Sequence, residues 1–167
     1  FLLHRDSRKV NLSNASSGQQ ETLPLVLVLN TIADMGFSEG GATLYIEEPE
    51  AHLFPTAQKK MVQLLARTFN TIDSNFQIIV TTHSPYILSS FNNLLEAGKI
   101  IDEKKALSSK VYKIVPKNEV INPSDLIAYS VNKSEKKILI DKETKLISQN
   151  ILDSVSDEIS LEFGKLL

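Results

Sequence analysis

Short apolar runs mark two predicted strands in the first half of the chain. Residues 44–46 form one run, which Pro49 closes, and residues 76–80 form a second, which Pro85 closes. Apolar runs of this length bounded by a breaker are typical of buried strands. Proline ends such a strand because it has no amide to donate to the sheet. We therefore predict two buried strands.

The segment between these runs has the spacing of an amphipathic helix that begins near Pro55. Its apolar face carries Ala57, Met61, Leu64, Leu65 and Phe69. Its polar face, which we predict to be solvated, carries Gln58, Lys59, Lys60, Gln63 and Arg67. A strand, a helix and a second strand form a right-handed unit with parallel strands. Both strands are therefore expected to end at the same edge of one sheet.

Residues 19–36 fit two patterns. The run at 25–29 has the composition of a strand, whereas residues 23–33 also show helical spacing. Because the run is too long for one strand, we favour a buried helix that stops at Gly36.

A small polar stretch, residues 14–20, precedes this helix. Serine hydroxyls and free amides at the positive end of a helix dipole can bind an anion. The alternative is an ordinary N-cap by Ser16 or Ser17, with Glu21 in the first turn. The sequence leaves both interpretations open.

The second half of the chain has weaker patterns. They predict short strands at 99–101 and 110–115, the latter extending the same sheet. They also predict a hairpin formed by residues 126–131 and 137–140, and an amphipathic helix over residues 144–166. A helix of this kind usually packs on a sheet or on a neighbour rather than binding a cofactor.

Composition narrows the class of protein. The chain has 167 residues, 42% of them hydrophobic and 23% charged, as in globular domains. A net charge of -2 excludes a global basic field, and the lack of cysteine excludes disulfides and thiolate metal sites. No apolar run approaches the ~20 residues that span a bilayer. No signal-peptide pattern is visible, so we expect a cytoplasmic protein without a membrane partner.

Charged side chains follow both predicted strands. Glu47 and Glu48 end the first strand, and His83 follows the second. Paired carboxylates suit Mg²⁺ and a water, because one can hold the metal while the other orients or deprotonates the nucleophile. A histidine beside them can donate to a phosphate oxygen. The alternatives are a solvated acidic turn and a structural histidine.

Three motifs therefore occur in order. Ser-Ser-Gly-Gln at 16–19 precedes a helix, Glu-Glu-Pro-Glu-Ala-His-Leu at 47–53 ends a strand, and Thr-His-Ser-Pro at 82–85 ends the next. This order resembles the C-terminal half of an ABC-type ATPase head. It is most similar to bacterial AAA-family ATPases of the OLD (overcoming lysogenization defect) and anti-phage type, which are related to the SMC and Rad50 heads. The resemblance covers about residues 13–91.

The resemblance implies an α/β fold of the P-loop NTPase class. Residues 1–122 would form the C-terminal lobe of an ABC ATPase-like domain, with a mostly parallel sheet flanked by helices. Residues 123–167 would form the hairpin and the amphipathic helix packed on it, with the Asn-Pro-Ser turn at 122–124 as the boundary.

It also implies a role for each motif in binding ATP and Mg²⁺. Glu47 matches the Walker B acid that supports Mg²⁺, Glu48 the catalytic glutamate that activates water, and His83 the switch histidine that contacts the γ-phosphate. Residues 50–53 occupy the D-loop position at the seam of a dimer. The signature loop, which touches ATP bound by the opposite protomer, matches Ser16, Ser17, Gly18 and Gln19.

Two departures from the family pattern stand out. Glu47 replaces the usual Asp and is longer by one methylene, which puts its direct contact with the metal in doubt. The Walker A pattern Gly-x-x-x-x-Gly-Lys-Ser/Thr is absent, and the nearest spacing, residues 36–43, has Ala42 where Lys is required. We therefore expect the N-terminal lobe with Walker A to lie upstream. By itself, this chain is expected neither to bind ATP tightly nor to hydrolyse it.

Three classes of function remain at this point. The first is part of an ATP-driven clamp that forms a homodimer through an ATP sandwich, with a nuclease or DNA partner in anti-phage defence or DNA repair. The second is a non-catalytic scaffold derived from a degenerate head. The third, a stand-alone hydrolase using Glu48 and His83, is weaker because no nucleophile elbow is present.

Overall fold

The chain forms two compact units, residues 1–83 and residues 84–167. The computed structural model describes residues 1–3, 5–35, 41–72, 75–131, 136–148 and 161–165. These units describe compactness, whereas the predicted boundary at residue 122 describes which residues belong to the ATPase lobe. That boundary stays a prediction. Within the described ranges, no helix is both long enough and apolar enough to cross a membrane.

The described residues of the first unit form four strands and two long helices. They are β1 (Leu2–Leu3), β2 (Lys9–Val10), α1 (Ser17–Met35), β3 (Ala42–Glu47), α2 (Pro55–Thr71) and β4 (Phe76–Thr81). β1 and β2 pair antiparallel, and a 3-10 turn at Leu12–Asn14 leads into α1.

β3 and β4 are parallel neighbours, as the strand–helix–strand pattern predicts. Their register runs from Ala42 opposite Phe76 to Glu47 opposite Thr81. Only one face of this pair is covered, because positions 42, 44 and 46 point inward and positions 43, 45 and 47 are exposed. Tyr45 is 72% exposed. The prediction of buried strands is therefore confirmed for one face only.

The helix favoured for residues 19–36 is confirmed as α1, but it is only partly buried. Leu29 is fully buried, whereas Leu27 and Val28 are exposed. Its predicted stop at Gly36 lies outside the described residues.

α2 confirms the second predicted helix and corrects its faces. Met61 and Leu65 are buried as expected, together with Val62 and Ala66. Gln58, which we assigned to the solvated face, is also buried. Its amide Nε2 donates to the Leu53 carbonyl at 2.9 Å, which satisfies this buried polar group.

The second unit begins with a long helix, α3 (Pro85–Glu103), so the predicted strand at 99–101 is wrong. The Ser84 side chain caps this helix by accepting from the Tyr86 amide, and Pro85 occupies its first turn. Proline suits that position because the first amides of a helix have no partner within it. The Ser-Pro pair therefore starts a helix as well as ending β4.

The predicted strand at 110–115 is also wrong. Residues 108–111 form a short helix, α4 (Ser108–Val111), and the Ile114 and Val115 amides donate back to the Val111 carbonyl. The strand preference of β-branched and aromatic residues depends on a neighbouring strand, and these local turns replace it. Further 3-10 turns cover Lys105–Leu107, Lys117–Glu119 and Pro123–Asp125.

The predicted hairpin is confirmed. β5 (Tyr129–Val131) pairs antiparallel with β6 (Lys136–Ile138). A mostly parallel sheet is not found among the described residues. They form three two-stranded sheets, of which only β3–β4 is parallel.

The predicted helix over 144–166 is wrong at its start. Ile147 forms an antiparallel bridge with Ile140, and the Asn92 side chain bonds both the amide and the carbonyl of Ile147. Residues 161–165 are helical, and residues 149–160 and 166–167 lie outside the described part of the chain.

Candidate functional site

The chain turns sharply where β3 ends. The Glu48 amide still donates to the Thr81 carbonyl of β4 at 2.9 Å, but the Glu48 backbone has a φ of 43°. A positive φ is uncommon for a residue with a side chain and tends to occur at functional sites. The Ala51 amide then closes a turn by donating to the Glu48 carbonyl at 2.9 Å. Glu48 is therefore the first residue of the turn that follows β3.

Glu48 and His83 meet at the carboxyl ends of the two parallel strands. Glu48 Oε1 lies 3.3 Å from His83 Nε2, and the two side chains are 54% and 87% exposed. The parallel crossover predicted from the sequence thus brings both predicted catalytic side chains together. Their exposure leaves them open to a ligand, and their catalytic roles stay predictions.

Glu47 occupies the last position of β3, on the exposed face of the sheet. In the part of the chain that the structure describes, no group of three or more His, Asp or Glu side chains is placed to hold a metal ion. Mg²⁺ on a nucleotide often has only one or two protein carboxylates and takes its other ligands from phosphates and water. An exposed carboxylate at Glu47 fits that donor set.

The serine and glycine run forms a capping box at the start of α1. The Gln19 amide donates to Ser16 Oγ at 3.4 Å, and the Ser16 amide donates to Gln19 Oε1 at 3.2 Å. The ordinary N-cap, one of the two interpretations left open by the sequence, is therefore present, with Ser16 as the cap. Glu21, which that interpretation placed in the first turn, lies beyond the first turn of α1. The cap does not exclude an anion, because the Ser17 and Gly18 amides have no acceptor within the helix. The signature-loop role of these residues stays a prediction.

The loop that follows β3 packs directly on this helix start. A Cβ at Gly18 would lie 2.7 Å from the His52 carbonyl oxygen, a distance that real Cβ atoms essentially never show. The His52 imidazole Nε2 also lies 3.5 Å from Glu21 Oε1 of α1. Gly18 therefore allows α1 and the 48–53 loop to approach closely, which brings the first two sequence motifs together.

Glu50 joins the same loop to the end of β4. Its Oε1 atom accepts a hydrogen bond from the Thr82 hydroxyl at 2.5 Å and another from the His83 amide at 2.9 Å. The sequence motifs give Glu50 and Thr82 no individual role. The only available signals were a third carboxylate in the turn and a hydroxyl directly before His83.

Comparison with known proteins identifies the family of the chain. Residues 2–88, more than half of the chain, match the AAA ATPase domain family, and this range contains all the predicted site residues. The chain is also similar to the Retron Vc95 probable ATPase of Vibrio cholerae serotype O1 biovar El Tor. The two are 31% identical over 106 residues. The match covers 59% of this chain but only 19% of that protein. No solved structure matches the chain. The chain therefore belongs to the AAA ATPase domain family.

Proposed function

We propose that this chain supplies the catalytic glutamate, the switch histidine and the signature loop of an ATP-hydrolysing head. The observation that carries the proposal is the contact of 3.3 Å between Glu48 Oε1 and His83 Nε2 at the ends of two parallel strands. The packing of Gly18 on the loop after Glu48 supports it, because the 16–19 segment, Glu48 and His83 all belong to the first unit.

In this proposal Glu48 orients the attacking water and accepts its proton. His83 donates to a γ-phosphate oxygen. The His83 Nε2 that faces Glu48 without ligand would turn to the phosphate when ATP binds. That exchange would free the Glu48 carboxylate for the water. Positioning and charge neutralisation account for most of the catalysis in phosphoryl transfer.

Glu47 is the residue we propose to hold Mg²⁺, directly or through a water. A bound Mg²⁺ would supply positive charge that neutralises the charge developing on the phosphate oxygens.

Two parts of the complete site would come from outside this chain. The first is a phosphate loop with its lysine, which the sequence lacks and which we place in an N-terminal lobe of the complete protein. The second is a partner protomer, whose ATP the signature loop Ser16, Ser17, Gly18 and Gln19 would contact. ATP held between two copies would clamp the homodimer, and hydrolysis would release it.

The wider setting rests on the resemblance of the motifs and on one relative. That relative is named a probable ATPase of a retron, and from its name we carry over only the ATPase activity. We retain anti-phage defence or DNA repair, with a nuclease or DNA partner, as the setting that the motif resemblance implies.

The decisive experiment uses the complete ATPase with and without Glu48→Gln. We expect the wild type to hydrolyse ATP, and we expect the variant to lose about 10²–10⁴-fold in kcat, the usual contribution of a general base. The variant should accumulate as an ATP-dependent dimer on native mass measurement. Glu103→Gln, at the end of α3, is the matched control and should behave as wild type.

The same experiment separates the clamp from the scaffold. The complete wild type could fail to hydrolyse ATP and show the same native mass with and without ATP. In that case Glu47 and Glu48 have no catalytic role, and the scaffold interpretation replaces the clamp. Residues 1–167 assayed alone should show no turnover. Turnover by this chain alone, abolished by Glu48→Gln, would show that it needs no separate phosphate loop.

A further inference from the structure

We infer that Glu50 is a positioning residue that sets His83 against Glu48 by holding the main chain at the end of β4. The inference deepens the proposed function and rests on it, since it assigns a further residue to the same reaction. Three observations support the inference. One oxygen of the Glu50 carboxylate accepts two hydrogen bonds, the other oxygen is buried, and the His83 side chain that Glu50 would position is exposed.

One oxygen of Glu50 accepts both hydrogen bonds, which come from the two residues that follow β4. The Thr82 hydroxyl lies 2.5 Å and the His83 amide 2.9 Å from Glu50 Oε1. Hydrogen bonds to an ionised carboxylate are shorter and stronger than those between neutral groups. They join residues 32 and 33 positions apart, so they hold the loop after β3 against the loop after β4.

The other oxygen faces the protein rather than solvent. Glu50 Oε2 is buried and has no hydrogen-bond partner among the described residues. A buried acceptor without a partner costs free energy. A solvated carboxylate would avoid that cost, so this conformation is kept by the two bonds that Oε1 makes.

The His83 ring depends on its main chain for its position. Its side chain is 87% exposed, so burial contributes little to holding the ring in place. The Glu50 bond to the His83 amide, together with the bond to Thr82, fixes the backbone from which the ring extends. Glu48 Oε1 then lies 3.3 Å from the ring nitrogen. Without Glu50, the ring would lose the anchor that sets this distance.

Three substitutions in the complete ATPase distinguish hydrogen bonding from charge. Glu50→Gln keeps the length of the side chain and an oxygen acceptor but removes the charge. Glu50→Asp keeps the charge, but its side chain is shorter by one methylene and should lose the hydrogen bonds to Thr82 and His83. Glu50→Ala removes both. Glu103→Gln, far from this loop in sequence, is the control.

We expect kcat to fall about 10- to 100-fold in Glu50→Ala and Glu50→Asp, because small displacements of a reacting group have effects of that size. Glu50→Gln should stay within about threefold of wild type, and KM for ATP should change by less than about threefold in every variant. Retained activity in Glu50→Asp with loss in Glu50→Gln would overturn the inference in favour of a role for the charge. Wild-type kcat in all three variants would also overturn it.

Hydrogen exchange of the complete protein gives a second readout that does not need turnover. Peptides containing the Thr82 and His83 amides should exchange faster in Glu50→Ala than in wild type. In Glu103→Gln, the same peptides should exchange at the wild-type rate. If the wild type itself fails to hydrolyse ATP, the proposed function fails, and this measurement alone decides the role of Glu50. Unchanged exchange at residues 82 and 83 in Glu50→Ala would overturn the positioning role.

Discussion

Gly18 shows that one residue can have two separate reasons for its identity. From the sequence, it belongs to a loop whose amides suit a phosphate. In the structure, it also lies under the His52 carbonyl, where a side chain has no room. The second reason concerns folding rather than ligand binding, so it can be tested by stability alone.

We predict that Gly18→Ala destabilises the protein. Alanine is the better helix former by about 1 kcal/mol, but its Cβ would meet the His52 oxygen at 2.7 Å and Leu53 Cδ2 at 3.3 Å. Overpacking of this kind costs about 1–3 kcal/mol. The free energy of unfolding, measured by urea titration, should therefore fall despite the gain in helix propensity.

Gly164→Ala is the matched control for this prediction. A Cβ at Gly164 meets nothing within 4 Å, and the residue lies in the helical segment 161–165. We expect no loss of stability there. If Gly18→Ala is as stable as Gly164→Ala, the close approach between α1 and the 48–53 loop does not hold in solution.

At the scale of elements, the turn around Asp141 explains why the predicted helix over 144–166 does not begin at residue 144. Asp141 Oδ1 accepts bonds from the Thr144 amide at 2.7 Å, the Thr144 hydroxyl at 2.9 Å and the Glu143 amide at 3.0 Å. A short side chain that satisfies nearby amides gives the backbone an alternative to a helix. The bridge between Ile140 and Ile147 then continues the hairpin.

These bonds give the Asp141 turn a predicted pH dependence. The Thr144 amide, then the Thr144 hydroxyl, lower the pKa of Asp141 from its ordinary value of 3.8. A lowered folded-state pKa means that ionised Asp141 stabilises the fold above the unfolded-state value. This contribution is lost as the pH falls through the lowered value. Asp141→Asn should therefore be less stable than wild type at pH 7, with the difference disappearing in acid below pH 3.8.

The measurement is thermal or urea unfolding over a series of pH values. Asp34→Asn, on the exposed surface of α1, is the control and should change the free energy of unfolding at pH 7 by less than about 0.5 kcal/mol. A constant difference between Asp141→Asn and wild type across the acid range would contradict the proposed linkage.

At the scale of the whole molecule, one face of the β3–β4 pair is left uncovered by the described residues. Parallel sheets in proteins are usually covered on both faces, yet Tyr45 is 72% exposed and Ile79 is 37% exposed on one face here. The rest of the ATPase domain, which we propose to include the phosphate loop, is the structure that we expect to cover this face in the complete protein.

This expectation predicts the effect of Tyr45→Ser in the complete ATPase. If Tyr45 is buried there, losing its ring should cost about 1.5–3 kcal/mol of unfolding free energy. Ile114→Ser is the control, because Ile114 is a comparably exposed apolar residue in the second unit. It should cost less than about 0.5 kcal/mol. Equal, small effects of both substitutions would show that the sheet face stays exposed.

The sequence by itself determined β3, α2, β4 and the β5–β6 hairpin, together with the choice of helix for α1. Their signals are local, because hydrophobic periodicity and breakers act within a few residues. The parallel crossover also followed from the sequence, since the handedness rule leaves one arrangement of strand ends. That rule was enough to place Glu48 near His83.

Only the tertiary structure decided the contacts that complete the site. The bonds of Glu50 to Thr82 and His83 and the approach of Gly18 to His52 join residues more than thirty positions apart. The turns at 108–115 likewise replaced a segment with strand composition. The contacts of Glu50 and Gly18 depend on partners that the folded chain brings into place, and the strand preference of residues 110–115 depends on a neighbouring strand. No local pattern of residues contains that information.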